Sequence, residues 1–315
     1  MLQQFIAKFQ NRRINDLLWW GAAAWLVGFV YLRGAPDWEV AYLPATLGDY
    51  VTAPLVANPP YILFLFYPLS ILPPRIGGVI LALINLVCLF AASRITGANK
   101  WLLLLSFPAL IVTTFGQIDG LVALGAVIGS VAVRKNSGLL LGLAFLLLGL
   151  KPQVGCVLVI VYLVWMLSEG HCLDAGIATG VCVGVVGLSF LAFGFWLPDW
   201  INKIVVSIIT GGDEFTSFEI GLFPFGLVAL AGSLCFARED VPAILTGTLL
   251  ASPYAGYYSL VSALAFPLPW FVYCLTWLPV FLPTKMGVLV APIAVILVGI
   301  LQNRQKRPLK RPLLE

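Results

Sequence analysis

Asp37 is the residue best placed to do chemistry in this chain of 315 residues. It lies in the stretch Gly34-Ala-Pro-Asp-Trp-Glu-Val-Ala-Tyr42, a few residues after the first apolar segment. A carboxylate held there, at a membrane surface, can take a proton from a hydroxyl. Position alone describes an ordinary solvated loop acid equally well, and the same holds for Glu39 and Asp49. Asp119 is the other acid of interest. It sits with Gln117 in Phe115-Gly-Gln-Ile-Asp-Gly120, between two apolar segments. Glycines on both sides permit a tight turn whose amides could face an anion; the plainer reading is a polar turn between two helices. Asp199, Asp213, Glu214 and Glu219 belong to a later loop or its edge. Asp16, Glu169, Asp174, Glu239, Asp240 and Glu315 fall at expected cytoplasmic ends.

Lys151 follows a long uncharged run, in Gly149-Leu-Lys-Pro-Gln153. A cation at the mouth of a cavity suits phosphate, and a snorkelling lysine at a helix end has the same signature. Ser252-Pro-Tyr-Ala-Gly-Tyr-Tyr258 joins two more apolar segments. Ser252, Tyr257 and Tyr258 could hydrogen-bond and stack on a sugar, or belong to an interfacial aromatic belt. Asp37 and Glu39 could together ligate a divalent metal, although two acids without a histidine make a thin ligand set. No metal and no other cofactor is therefore assigned.

Several classes of function are excluded. His171 is the single histidine, which removes His-rich metal sites and His-based triads. Neither a Walker A sequence nor a dinucleotide fingerprint occurs. No row of acids crosses the apolar segments as in a proton pump. The net charge of +4 is concentrated in the tails, which suits an anionic membrane face and not nucleic acid. The six cysteines are scattered and form no CxxC pair, so they read as small buried hydrophobes.

The elements that must position these residues follow from composition. Hydrophobic residues make up 61% of the chain and charged residues only 10%. Too few charges exist to clothe a water-facing surface of this size, since soluble domains carry about 25%. In lipid, backbone groups must be satisfied internally, so the spans are helices or a closed barrel. Runs such as 139–150 do not alternate in polarity as barrel strands do. The expected fold is an all-α integral membrane bundle of about 10–12 transmembrane or re-entrant helices. Candidate spans are 17–33, 59–73, 76–94, 101–115, 118–133, 138–150, 153–168, 174–196, 218–237, 241–252, 257–282 and 285–302. Prolines break 59–73 and 257–282, and broken helices at membrane depth line cavities.

Residues 1–16 read as a basic cytoplasmic segment and 17–302 as one transmembrane domain. The long extracytoplasmic loops are 34–58 and 197–218, and 303–315 is a basic tail. Within the second loop, 201–209 reads as a helix lying on the membrane surface. Lys8, Arg12 and Arg13 place the N-terminus in the cytoplasm of a multi-pass inner or plasma membrane protein, and the start reads as a retained signal anchor. Simple alternation through all the candidates conflicts with cytoplasmic placement of 94–100 and of Arg134-Lys135. The conflict at those loops eases if 59–73 is re-entrant. Both tails then share a side only if 257–282 contains a further break.

Taken in order, these features resemble glycosyltransferase family 87, the mannosyltransferase-like members of the GT-C superfamily. The resemblance rests on Pro36-Asp37-Trp38, then Asn58-Pro59-Pro60 with Tyr67-Pro68-Leu69 and Leu72-Pro73. Phe107-Pro108 with Gly116-Gln117-Ile118-Asp119 follows, then Gly142-Leu-Ala with Leu150-Lys151-Pro152, and Ser252-Pro253 with Tyr257-Tyr258. It covers roughly residues 17–260. It implies a GT-C fold with an extracytoplasmic cavity, and transfer with inversion from a polyprenyl-phosphate-linked sugar, typically mannose, to a lipid or glycan acceptor among the membrane lipids. By the resemblance Asp37 matches the base, Lys151 the basic position near the donor phosphate, and Gln117 and Asp119 the polar turn facing the cavity. Tyr257-Tyr258 stands where many relatives carry histidine. Two other readings fit the same segments: a non-catalytic GT-C-like subunit of a membrane protein complex, and a lipid or solute transporter.

Overall fold

The computed structural model describes residues 2–48, 50, 58–209, 219–282 and 284–306. Asp49, Asp213, Glu214 and the tail beyond Lys306 lie outside the described residues. The described chain is helical nearly throughout; its one β-contact is an isolated bridge between Glu219 and Gly256. An all-α membrane bundle is what a chain this poor in charge must build.

Helix α1 (Leu2–Arg33) carries the polar start into the first apolar segment without interruption. Gly34, at φ +90°, ends it. Within the region expected as a loop, Asp37–Tyr42 forms a π-helical turn that runs into α2 (Leu43–Leu47). The chain bends by 49° between the two arms. A short 3-10 turn, Pro60–Ile62, leads into α3 (Leu63–Ser70), and α4 (Pro74–Thr96) follows. Asn58 donates to the Leu150 carbonyl, while Pro74 accepts from Trp38. Both ends of this proline-rich segment thus sit at the Asp37 end of the bundle. Its helical part, Pro60–Ser70, is also too short for a hydrocarbon core about 30 Å thick.

The expected span 101–115 is two helices, α5 (Lys100–Leu104) and α6 (Phe107–Phe115), parted where Ser106 caps the second through the Ala109 amide. Next come α7 (Asp119–Lys135), α8 (Gly138–Gly149), α9 (Pro152–Ser168) and α10 (Cys172–Phe193). Glycines bring these four together, as packing between helices in lipid requires. A Cβ on Gly125 would stand 2.7 Å from that of Leu147, and one on Gly142 would stand 2.7 Å from that of Val181.

Helix α11 (Leu197–Ile209) occupies the place expected for a surface helix and exposes Ile201, Val205 and Val206. The chain continues through α12 (Gly226–Phe236) and α13 (Val241–Ala251). The expected span 257–282 is broken into a 3-10 turn Tyr257–Leu260, α14 (Val261–Leu264), α15 (Trp270–Leu275) and α16 (Leu278–Phe281). It starts near Asp119, through Ser259, and reaches the far end of α4, where Thr96 donates to the Ala265 carbonyl. It turns there at Pro267 and Pro269, and Lys285, at the start of α17 (Lys285–Lys306), returns to the carbonyls of Glu219 and Gly221.

That extra turn brings α17 back to the end of the bundle where α1 begins. Gln302 of α17 lines one pocket with Thr96 and Arg134, at the end where Asp16 of α1 is held by Arg94. Asp16 and Gln302 therefore lie at the same end. Helices α4, α10 and α17 are long and apolar enough to cross a membrane alone, and the bent pair at the N-terminus makes a fourth candidate. The other passes are made of shorter apolar helices.

Candidate active site

The site begins with how Asp37 is fixed. Trp38 is fully buried, donates from Nε1 to the Pro74 carbonyl at 3.0 Å, and packs edge-on against Phe66. It lies in a notch made by two glycines of α4: a Cβ on Gly77 would meet Trp38 Nε1 at 2.8 Å, and one on Gly78 would meet Ala35 Cβ at 2.8 Å. Gly116, in the left-handed region at φ +76°, closes the notch from the other side. A π-helical turn is uncommon and concentrates at functional sites. Here it leaves Trp38 and Tyr42 inward and Asp37 half-buried beside them.

Asp37 Oδ2 accepts a hydrogen bond from Gln117 Nε2. The other end of that amide, Gln117 Oε1, accepts from Tyr42 Oη at 3.1 Å and from Lys151 Nζ at 2.9 Å. Lys151 also donates to Asp119 Oδ2 at 2.7 Å, and Asp119 Oδ1 accepts from Ser259 Oγ at 2.7 Å. The ammonium stands 4.5 Å from the centre of the Tyr258 ring, within cation–π range. Asn85, in the middle of α4, supports the turn from below. It donates to the Gln117 carbonyl at 2.5 Å and accepts from the Gly120 amide at 2.9 Å.

Four elements that are distant in sequence thus meet: the turn after α1, the α6–α7 turn, the α8–α9 turn and the 3-10 turn after α13. Asp119 is fully buried, Lys151 and Gln117 nearly so. Asp37 follows the expected first span, 17–33, beyond the bend that ends α1. Burial pushes its carboxyl above the ordinary carboxylate value; the Gln117 hydrogen bond and the Lys151 charge pull the other way without cancelling it. A half-buried carboxylate with a raised proton affinity is a better base than one in water.

The structure gathers Asp37, Gln117, Asp119, Lys151 and Tyr258 of the residues singled out by sequence, and turns the other three elsewhere. Glu39 folds back on the end of α1, accepting from the Ala35 amide and pairing with Arg75 at 3.5 Å. Asp37 and Glu39 therefore face different partners. Tyr257 is buried and donates to the Thr276 carbonyl. Ser252 closes its own turn through the Tyr254 backbone. Lys151 is buried inside the bundle, where two of its donors go to Asp119 and Gln117. One expectation about the cluster also changes. The amides of Gln117 and Gly120 do not face an anion, because they bind the Val112 carbonyl and Asn85.

Sequence reasoning passes over Tyr42, Asn85 and Ser259. Asn85 carries a signal, being an amide in the middle of the apolar run 76–94, where a polar group demands a partner. Tyr42 and Ser259 have none beyond residue type.

Compared with known families, residues 57–313 match Glycosyltransferase family 87. No curated protein and no solved structure matches the chain.

Proposed function

The chain belongs to glycosyltransferase family 87 and is a membrane glycosyltransferase; from that premise we propose that it transfers a sugar, mannose in our reading, from a polyprenyl-phosphate donor to the hydroxyl of a lipid or glycan acceptor. Asp37 is the base. The observation that carries this role is the half-buried Asp37 carboxylate, hydrogen-bonded on Oδ2 by a side chain that is itself locked in place. Asp37 precedes the matched region 57–313, so its role stands on this geometry.

In the proposed step the acceptor oxygen attacks the anomeric carbon from the face opposite the phosphate. Its proton passes to the Asp37 carboxylate, and the bond from carbon to phosphate oxygen breaks with its electron pair leaving on the phosphate. One displacement inverts the anomeric centre. A phosphate leaving group is already activated, so one base and a fixed polar surround suffice.

A lipid-borne donor also needs an apolar berth. A groove of about 350 Å³ begins at Pro152, the residue after Lys151, and is walled further by Cys156, Val157, Trp200, Ile204 and Pro253. It is bounded by the surface helix α11 and suits a prenyl chain. We place the Asp37 end outside the cytoplasm of an inner or plasma membrane, since Arg94, Lys100, Arg134 and Lys135 gather at the opposite end.

The test uses protein in lipid nanodiscs, radiolabelled polyprenyl-phosphate-mannose and a mixed membrane-lipid acceptor extract. Transfer by the wild type that is lost in Asp37→Asn supports the reading. Transfer that survives in the variant removes Asp37 as base. Failure of folded wild-type protein with this donor and with other lipid-phosphate sugars argues for a non-catalytic subunit.

A further inference from the structure

Lys151, Gln117 and Asp37 form a hydrogen-bond chain that runs in one direction. An amide side chain can be placed either way round in a site, and only its neighbours decide which. Here they decide it. Lys151 Nζ is a donor with no lone pair to offer, so the atom it meets at 2.9 Å is the Gln117 carbonyl oxygen. Tyr42 Oη donates to the same oxygen at 3.1 Å. The amide nitrogen is thereby committed to the opposite side, where it meets Asp37 Oδ2. The lysine is fixed in turn by Asp119, which Ser259 holds by its other oxygen, and by the face of Tyr258. Each donor points toward Asp37, from Lys151 through Gln117, and hydrogen bonds in series strengthen one another.

We infer that Gln117 is a positioning residue for the Asp37 base, aimed by the Lys151–Asp119 pair, and that this pair is an internal fixture of the protein and not the grip on the donor phosphate. The inference rests on Asp37 being the base. The buried pair sets which end of the amide faces Asp37. The amide occupies Oδ2 and leaves Oδ1 for the acceptor hydroxyl. It also favours the ionised carboxylate, the form that can accept a proton.

The charged and titratable groups that bear on Asp37 come from four elements: Tyr42 on its own turn, Asp119 after Gln117, Lys151, and Tyr258. Glu39, on the same turn as Asp37, is paired with Arg75. A useful variant must leave this surround intact and change only the donor that meets Asp37. Gln117→Glu does so. Its carboxylate can still accept from Lys151 and Tyr42, has nearly the same volume, and offers Asp37 an acceptor in place of a donor.

The experiment follows sugar transfer from polyprenyl-phosphate-mannose against pH for the wild type, Gln117→Glu, Gln117→Met and Asp37→Asn, with thermal midpoints taken on the same preparations. For Gln117→Glu the expected result is an acid limb of kcat/KM moved upward by about one pH unit or more. The donor KM should stay within about twofold, because the donor phosphate does not bind here. Gln117→Met, which neither donates nor repels, should move the limb in the same direction by less. An unmoved acid limb together with a donor KM raised about tenfold or more would overturn the inference and put Gln117 and Lys151 on the donor. Loss of transfer in Asp37→Asn with an unmoved limb in both Gln117 variants sinks the inference and spares the base. Full transfer by Asp37→Asn sinks the base, and the inference with it.

Discussion

Lys151 Nζ and Asp119 Oδ2 lie 2.7 Å apart, and neither side chain is more than 4% exposed. Two opposite charges removed from solvent cost several kcal/mol each, and their attraction repays this only when every remaining donor and acceptor is met. Gln117, Ser259 and Tyr258 supply those partners. Removing one charge leaves the other stranded. Lys151→Met should therefore cost about 3–5 kcal/mol of stability. The double variant Lys151→Met with Asp119→Leu should recover most of that loss, since no uncompensated charge remains. Denaturant or thermal midpoints of the purified protein in nanodiscs check both. A double variant as unstable as the single would show that the pair is not the unit that matters.

Asp37→Asn should reduce transfer by about 10²–10⁴-fold, the range for loss of a general base. The same substitution should leave the thermal midpoint at pH 7 unchanged or higher. The sign follows from the raised proton affinity of Asp37. The folded state binds the proton more tightly than the unfolded state does. The stability this contributes is full at low pH and is lost as pH rises through the raised value, so at pH 7 the ionised carboxylate is a burden that asparagine relieves. Wild-type activity moves oppositely, falling as pH drops through that same raised value. A thermal midpoint several degrees lower in Asp37→Asn would show that the carboxylate is structural.

How much of this site could be read from sequence depends on contrast. Asp37, Gln117, Asp119 and Lys151 stand out because each interrupts apolar surroundings where a polar group needs a reason. Asn85 offers the same contrast, yet an uncharged amide inside a helix draws less notice than a charge at its end. Ser259 is one hydroxyl among many. Tyr257 directly precedes two residues of the site yet points elsewhere, because successive residues of a 3-10 turn project about 120° apart, and Ser252, before that turn, spends its hydroxyl on the Tyr254 backbone. Tyr258 and Ser259 reach the cluster while Tyr257 turns into the bundle. The apolar segments were legible from composition and the break of 257–282 from its prolines, whereas the break of 101–115 at Ser106 was not. The charge pattern raised a re-entrant 59–73, and what Asn58 and Trp38 bind is what holds both ends of that segment at one end of the bundle.

Gly77→Ala should impair transfer while leaving the bundle folded. The added methyl would stand 2.8 Å from Trp38 Nε1, and the indole has nowhere to retreat with Phe66 on its other side. Overpacking of this kind costs about 1–3 kcal/mol. The strain should appear as displacement of the turn that carries Asp37, and thus as a lower kcat. Trp38→Phe, which removes the bond to the Pro74 carbonyl and empties part of the notch, should act in the same direction. Paired with Gly77→Ala it should do less harm than the two single effects added together, because the smaller ring makes room for the methyl. Transfer rates of the four proteins, expressed as a double-mutant cycle, test the coupling. Additive losses would mean that the glycine and the tryptophan do not act through one contact.

The end of the bundle holding Asp16 should face the cytoplasm. Asp16 is gripped there by Arg94 and Lys100, and its pKa is lowered: the small burial raises it, but Lys100 and Arg94 lower it more. The latch is too exposed to fix orientation by its own energy, since surface ion pairs contribute about 0–1 kcal/mol. Orientation comes from the density of basic residues. Arg94, Lys100, Arg134 and Lys135 all fall at this end, and basic loops stay on the cytoplasmic side during insertion. Leu47, 68% exposed, lies at the Asp37 end, and Lys135 lies opposite. In a background freed of the six native cysteines, Leu47→Cys should react with a membrane-impermeant maleimide in intact cells. Lys135→Cys should react only after the membrane is opened. The reverse pattern would place Asp37 in the cytoplasm, where the acceptor would have to be sought among cytoplasmic hydroxyls.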